Sequence, residues 1–141
     1  MATPLIDSLN DEAIDAYLSG DQSAPEGLRQ LGAVMALHGV AENGGLVGGA
    51  IENAFFADDL GSVTDAIQGF IWLDLPDVAG LVTRARDAYL RFRPTGWDEL
   101  STDDGVLWHQ LDSSYFDVAT GDRLEVAVSA RLPEITPGRH P

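Results

Sequence analysis

The sequence predicts a single all-α domain of six or seven helices, and three observations support this fold class. Apolar residues recur at spacings of three and four along most of the chain, as they do on one face of a helix. Pro4, Pro25 and Pro76 open or precede three of these periodic segments, and Gly20 follows the first of them. The length of 141 residues suits one domain with its own core.

Helix boundaries in the first half of the chain follow from its capping residues. The first two helices begin at Pro4 and Pro25. A short, glycine-rich helix is predicted over residues 46–56. Ser62 and Asp65 have the spacing of a capping box and predict the start of the next helix.

The second half contains the clearest helical pattern. After Pro76, apolar residues follow a helical spacing while charged residues occupy the opposite face. Thr102 is predicted to cap the next helix, with two acidic residues in its first turn. Residues 122–132 alternate like a strand but also suit a helix. Because a lone strand would leave backbone groups unpaired, we predict a helix there.

The predicted domain covers residues 1–135, and residues 136–141 are predicted to form a frayed tail. No stretch is apolar for long enough to cross a membrane, and the N-terminus has no signal-peptide pattern, so we expect a cytoplasmic protein. The predicted core consists of large apolar residues on the buried helix faces: Leu31, Met35, Ile67, Phe70, Val82, Tyr89, Leu107 and Leu111.

Charge is the least ordinary property of the sequence. The chain has 23 acidic residues and 8 basic ones, all of them arginine, and its net charge is −15. Such a negative field repels nucleic acids and anionic membranes, so we expect neither as a direct partner. It favours a basic protein as partner, in particular one that binds nucleic acid, and it leaves a homodimer open.

The acidic residues are concentrated in three blocks. Residues 1–27 and residues 51–80 each contain six acidic residues and no arginine, and residues 98–122 contain seven and no arginine. Residues 81–97 reverse the sign, with four arginines and one aspartate. The folded surface is therefore expected to be electrically polarised.

Candidate catalytic and metal-binding residues are few. The chain has no cysteine, which excludes thiolate zinc sites and a cysteine nucleophile. His38 with Glu42, and His109 with Asp112, have helical spacings that metal ligands use, but no second pair accompanies either. We therefore interpret His38 as a partly buried core residue, and we expect no metal, no cofactor and no enzymatic activity.

The run Asn43-Gly44-Gly45 predicts a sharp turn between helices, because these residues readily adopt left-handed backbone conformations. We expect the side chain of Asn43 or Asn53 to cap backbone groups at this turn. The role predicted for these four residues is structural.

A family resemblance rests on this turn and on a second motif. The run from Glu42 to Leu46, Glu-Asn-Gly-Gly-Leu, is similar to an N-G-G-F signature, with leucine in place of the aromatic residue. Asn53 matches a second asparagine of the family, and Leu-Asp-Ser-Ser-Tyr at residues 111–115 is similar to its L-D-x-x-Y element. Over roughly residues 28–118 the chain thus resembles an all-α, DNA-mimic-protein-like family, most of whose members have unknown function. The resemblance implies an all-α fold and the sequestration of a DNA-binding protein.

Three functions remain open at the level of the sequence. The first is a non-enzymatic acidic decoy, a DNA mimic that occupies the basic nucleic-acid-binding surface of a partner such as a transcription regulator. The second is an immunity or antitoxin-type protein that neutralises a basic toxin through shape complementarity. The third is a structural or enzymatic domain whose acidity is incidental.

The predicted partner-binding surface consists of aspartates from all three acidic blocks. Those of the first helix recur every four residues, ~6 Å apart along the helix axis, which is comparable with the phosphate spacing along one DNA strand. Like charges at this spacing destabilise a helix, so the stripe has no local stabilising role. The predicted binding residues are Asp7, Asp11, Asp15, Asp58, Asp59, Asp103 and Asp104.

Overall fold

The computed structural model describes residues 4–92 and 101–136, with side chains from residue 8 onward. Within these residues the chain is helical and contains no strand, so the predicted all-α class is confirmed. The helices are α1 (Pro4–Ser19), α2 (Glu26–Gly44), α3 (Glu52–Asp58), α4 (Gly61–Trp72), α5 (Pro76–Phe92), α6 (Thr102–Val118), α7 (Gly121–Ala130) and α8 (Leu132–Ile135). A π-helical segment, Leu46–Ile51, connects α2 to α3.

The eight α-helices of the described residues exceed the predicted six or seven because the last segment is divided. α7 ends at Ala130, and α8 begins directly after Arg131. Pro133 lies in the first turn of α8; it has no N–H to donate, and its ring obstructs continuation of the preceding helix. The ambiguous segment 122–132 is thus helical as far as Ala130. Residues 137–141, most of the predicted frayed tail, lie outside the described residues.

α2 lies at the centre of the fold. It packs against α1, α4, α8 and the π-helical segment, and α5 packs against α4, α6 and the same segment. Ile67 and Leu107, two of the predicted core residues, are only partly buried at the edge of this core. The other predicted core residues are buried: Leu31, Met35, Phe70, Val82, Tyr89 and Leu111.

α1 approaches α2 closely at Gly32. A Cβ atom at this glycine would lie 2.7 Å from the Cβ atom of Tyr17 and would also meet the backbone carbonyl of Ala13. Ala13 is fully buried at this contact. Small residues on both helices therefore allow the close approach, and a side chain at Gly32 would push α1 away from α2.

The start of α6 differs from the prediction by one residue. Ser101, rather than Thr102, is the N-cap: its Oγ accepts a hydrogen bond from the backbone N–H of Asp104 at 3.1 Å. The Ser101 hydroxyl in turn lies 3.0 Å from the Asp104 carboxylate, to which it donates. Serine and threonine are both good caps, so the sequence pattern alone does not distinguish these neighbouring residues.

Candidate partner-binding surface

α1 presents two of its aspartates to solvent. Asp11 and Asp15 are exposed, one turn apart, on the side of the helix opposite the buried Ala13. Leu18 lies on the same side and is 70% exposed. Asp7 belongs to α1, but its side chain falls outside the described residues. The exposed face of α1 thus combines acidic groups with a large apolar side chain.

Asp58 and Asp59 lie at the exposed junction between α3 and α4. Asp59 and Leu60 both have left-handed backbone conformations, with φ angles of 56° and 68°. The side chain of Leu60 is buried, and this burial offsets the strain of a left-handed conformation at a leucine. Asp58 Oδ1 accepts a hydrogen bond from the backbone N–H of Ser62 at 3.3 Å. The predicted capping box of Ser62 and Asp65 is therefore wrong, because an aspartate that precedes α4 satisfies its first turn.

A hydrogen bond joins the C-terminal half of α1 to α4. The hydroxyl of Tyr17 donates to Asp65 Oδ2 at 2.7 Å. Burial raises the pKa of Tyr17 above its ordinary value, and the hydrogen bond to Asp65 and the charges of Asp65 and Asp58 raise it further. The hydroxyl is therefore protonated at neutral pH, and it ties the C-terminal half of α1 to α4.

A groove of about 230 Å³, here named the α1–α3 groove, lies between α1, α2, α3 and α4. Its walls are mainly apolar, and none of the described residues that line it is basic. Asn53 and Asp58 also line this groove. The apolar lining includes Leu18, Ala36, Val40, Ala57 and Val63. The groove therefore brings the apolar part of the α1 face next to the acidic α3–α4 junction.

Asp103 and Asp104 occupy the first turn of α6. Asp103 is exposed, whereas Asp104 is half-buried and lies 3.5 Å from Nη2 of Arg91 on α5. No hydrogen bond or ion pair between described residues links these two aspartates to the acidic residues of α1 or of the α3–α4 junction. The structure thus places Asp58 on the same groove as Leu18 of α1, and it ties Asp104 to α5 instead.

The described ion pairs that involve arginine all lie on α5–α8. They are Arg86–Asp87 at 3.7 Å, Arg91–Asp104 at 3.5 Å, Arg123–Asp77 at 2.8 Å and Arg131–Glu134 at 3.4 Å. Arg29 is the one arginine of residues 4–75, and its Nε donates to the backbone carbonyl of Ala24. Among the described residues, no arginine pairs with the acidic groups of this surface: Asp11, Asp15, Asp58, Asp59 and Asp65.

The Asn-Gly-Gly run forms the predicted sharp turn, but an aspartate from α6 caps it. Gly45 has a φ angle of 92°, in the left-handed region. Asp112 Oδ1 accepts hydrogen bonds from the backbone N–H groups of Leu46 at 3.0 Å and Val47 at 3.1 Å. A Cβ atom at Gly45 would lie only 2.9 Å from Asp112 Oδ2. The turn therefore depends on Asp112 for its cap, and Asp112 can take this position because Gly45 has no side chain.

The expected asparagine cap is wrong within the described part of the chain. The side chains of Asn43 and Asn53 form no hydrogen bond with another described residue. Gly44 has no positive φ angle, so Gly45 alone provides the left-handed conformation of this run. Reasoning from the sequence missed Asp112 as the cap, although the L-D-x-x-Y similarity already singled out that residue.

Tyr115, the other end of the L-D-x-x-Y motif, is fully buried and begins a polar chain. Its hydroxyl lies 2.8 Å from Nδ1 of His38, and Nε2 of His38 lies 3.3 Å from Oε1 of Glu42. A neutral histidine with its proton on Nε2 satisfies both contacts, because Tyr115 then donates to Nδ1 and Nε2–H donates to Glu42. Burial lowers the pKa of His38, although the charge of Glu42 opposes this shift. Its side chain is 12% exposed, as expected of a partly buried core residue.

Both motifs of the sequence thus meet in one place, where α6 supports the turn that follows α2. Residues 22–131 match the family model described as DMP19-like protein. The chain belongs to the DMP19-like protein family. The DMP19-like family is a DNA-mimic protein family, so the resemblance read from the two motifs is confirmed. Neither the curated proteins nor the solved structures contain a significant match to the chain.

The DMP19-like match divides the candidate surface into two parts. Asp58 and Asp59 lie inside the matched residues, whereas Asp11 and Asp15 precede them.

Within the described residues, no three histidine, aspartate or glutamate side chains are grouped in a way that could hold a metal ion. None of the helices in residues 4–92 and 101–136 is both long and apolar enough to span a membrane.

Proposed function

We propose that this protein is a non-enzymatic DNA mimic that occupies the basic nucleic-acid-binding surface of a protein partner, such as a transcription regulator. One observation carries the proposal. A chain of a DNA-mimic family exposes aspartates along α1 and at the α3–α4 junction that have no arginine partner among the described residues. The proposal includes the cytoplasmic location that the sequence predicts.

The electrostatics of DNA recognition supports this function. Proteins bind DNA largely through its phosphates, and a duplex carries one negative charge per ~1.7 Å of its axis. Asp11 and Asp15 are ~6 Å apart along α1, and Asp58 extends the negative charge to the next helices. Because like charges one turn apart destabilise a helix, a binding role accounts for them better than a folding role.

The proposed binding residues differ in how free they are to meet a partner. Asp103 is an exposed residue at the start of α6, whereas Asp104 contributes less because Arg91 already lies beside it. The main part of the surface is formed by the aspartates of α1 and of the α3–α4 junction: Asp7, Asp11, Asp15, Asp58 and Asp59.

The first test uses the immobilised protein to capture its partner from a cell lysate. Immobilised protein is incubated with lysate of its source cells, and captured proteins are eluted in separate arms by duplex DNA and by salt. A basic partner that both arms release is the expected result, because screened Coulomb attraction holds it. A partner that resists both supports an immunity-type function instead, and capture of no basic protein contradicts mimicry.

Paired variants then locate the binding surface. Asp11→Asn with Asp15→Asn removes two acidic groups that no arginine of the described residues contacts, whereas Asp87→Asn with Glu134→Gln removes two that lie beside Arg86 and Arg131. Both variants change the net charge by the same amount. We expect only the first pair to weaken partner binding and to reduce its salt dependence. Equal losses in both pairs would mean that net charge alone, and not this surface, attracts the partner.

A further inference from the structure

The α1–α3 groove combines two properties that a purely electrostatic decoy does not need. Leu18 is 70% exposed at its edge, and Val40, on the same groove, is also exposed. Asp58 lies in its wall. An exposed apolar groove with an acidic edge is typical of surfaces that bind the apolar face of another helix.

We propose that the α1–α3 groove binds one large apolar side chain of a basic amphipathic helix in the partner protein. The partner is then held by an apolar anchor in addition to charge. Because the basic character of this helix follows from DNA mimicry, the proposal rests on the proposed function.

The size of the groove suits a single anchor. Its volume is about 230 Å³. An apolar cavity of about 150 Å³ already accepts a benzene molecule, so the groove has room for a leucine, methionine or phenylalanine side chain. Small residues, Ala36 and Ala57, leave this space open between the helices.

The negative charges around the groove favour a positively charged helix as the occupant. Asp15 precedes Leu18 by three residues on α1, a spacing that brings side chains ~5–6 Å apart. Asp58 approaches from the opposite wall, and Asp59 is exposed beside it. Arginine or lysine side chains one turn to either side of the anchor would therefore meet carboxylates. A second copy of this chain would bring like charges together, which disfavours it as the occupant.

Asn53 supplies a polar contact in the same groove. It lines the groove, is exposed, and forms no side-chain hydrogen bond with another described residue. Its amide has both donors and an acceptor, so it can bond to a polar side chain of the docked helix. The groove thus offers apolar, acidic and amide groups to one helix.

Two synthetic peptides test the anchor directly. The first is an alanine-based helical peptide with arginines one turn to either side of a central leucine, and the second has serine in place of that leucine. Binding to the full chain is measured by fluorescence anisotropy at two salt concentrations. We expect the leucine peptide to bind about tenfold more tightly, the order expected for burial of one apolar side chain.

A matched pair of variants locates the anchor site. Leu18→Ser should abolish the preference for the leucine peptide, whereas Val126→Ser should keep it, because Val126 on α7 is equally exposed at 70% but lies outside the groove. Ala57→Leu, which fills the groove from an exposed position, should act like Leu18→Ser. Asp58→Asn should weaken both peptides equally and lower the salt dependence.

Equal affinity of the native protein for both peptides, or equal losses in Leu18→Ser and Val126→Ser, would overturn the groove as an anchor site. Such a result would leave DNA mimicry intact, because displacement of a partner by duplex DNA tests mimicry independently. Conversely, a partner that DNA does not displace would contradict mimicry even if the leucine preference were present.

Discussion

The surface of α1 and the α3–α4 junction differs from the surface of α5–α8 in how its acidic groups are balanced. On α5–α8, Arg123 donates to Asp77 at 2.8 Å, and its hydrogen bond lowers the pKa of that carboxyl. On α1, Asp11 and Asp15 are exposed with no described arginine partner. Several acidic groups of α5–α8 thus lie beside arginines, whereas Asp11 and Asp15 do not among the described residues. The described ion pairs of arginine are therefore confined to one of the two regions.

A substitution at the contact between α1 and α2 is expected to have the largest effect on stability, because this contact holds the acidic helix α1 to the rest of the fold. Gly32→Ala should lower the free energy of unfolding by about 1–3 kcal/mol, because the added Cβ meets the backbone of α1. Gly39→Ala, in the same helix, meets no atom within 4 Å and should stabilise the protein by about 0.4–1 kcal/mol. Urea denaturation compares the two variants. Similar stability changes would contradict the close α1–α2 contact.

Loss of the cap on the glycine turn is expected to have the next largest effect. Asp112→Ala leaves the backbone N–H groups of Leu46 and Val47 without their acceptor, which should destabilise the fold by about 1–2 kcal/mol. Asp117→Ala changes an exposed residue of the same helix and should stay within about 0.5 kcal/mol of the native protein. Thermal unfolding of both variants provides the measurement. An Asp112→Ala protein as stable as the control would show that water replaces the cap.

His38 of α2, whose ring contacts Tyr115 of α6, should make the stability of the fold depend on pH. Burial lowers its pKa in the fold, so between about pH 6.5 and that lower value the unfolded chain binds a proton that the folded chain does not. Stability is therefore complete above this range and falls as the pH decreases through it. His38→Asn should flatten this part of the stability profile. A profile that keeps its slope in His38→Asn would assign the dependence to other groups.

The Arg123–Asp77 pair should contribute a smaller stabilisation. Asp77→Asn is expected to lower stability by less than about 1 kcal/mol, because side chains that are 41% and 50% exposed are screened by water. The pKa of Asp77 is lowered in the fold, so its contribution is present above the unfolded pKa of about 3.9 and is lost as the pH falls through the folded value. Denaturation at a series of pH values below neutral should show the difference between variant and native protein shrinking as the pH falls below about 3.9.

Neutralisation of one aspartate on α1 should have the smallest effect on stability, and it should stabilise the protein instead of destabilising it. Asp15→Asn removes one member of a like-charge pair one turn apart and should raise stability by about 0.2–0.5 kcal/mol. Added salt should reduce this gain, because it screens exposed charges. A loss of stability in Asp15→Asn would mean that Asp15 has a favourable partner on the folded surface.

The helices were predictable from the sequence wherever a local pattern determines them. α5 shows this best, since Pro76 precedes a regular apolar stripe and the helix runs from Pro76 to Phe92. The cap of α6 was misplaced by one residue because Ser101 and Thr102 are chemically similar at this position. Local chemistry thus predicts where helices lie better than which residue begins them.

Contacts between distant residues were not predictable in the same way. Asp112 is 66 residues away from Leu46, and no local spacing indicates that its carboxylate caps that turn. Tyr17 and Asp65 meet across 48 residues, and this contact forms one side of the candidate surface. Exposed aspartates on α1 were predicted from the sequence, and Asp11 and Asp15 are exposed in the structure. Their role in binding stays a prediction.

The two faces of α1 have a consequence for how such a protein can evolve. The face toward α2 is constrained, because Ala13 is completely enclosed and Gly32 permits no side chain opposite it. The outer face, with Asp11, Asp15 and Leu18, is exposed, and substitutions at such positions usually change stability by less than about 0.5 kcal/mol. Selection can therefore alter the charge and shape of this outer face without endangering the scaffold. Under the proposed function, a few changes on one helix are enough for a lineage to acquire a new target.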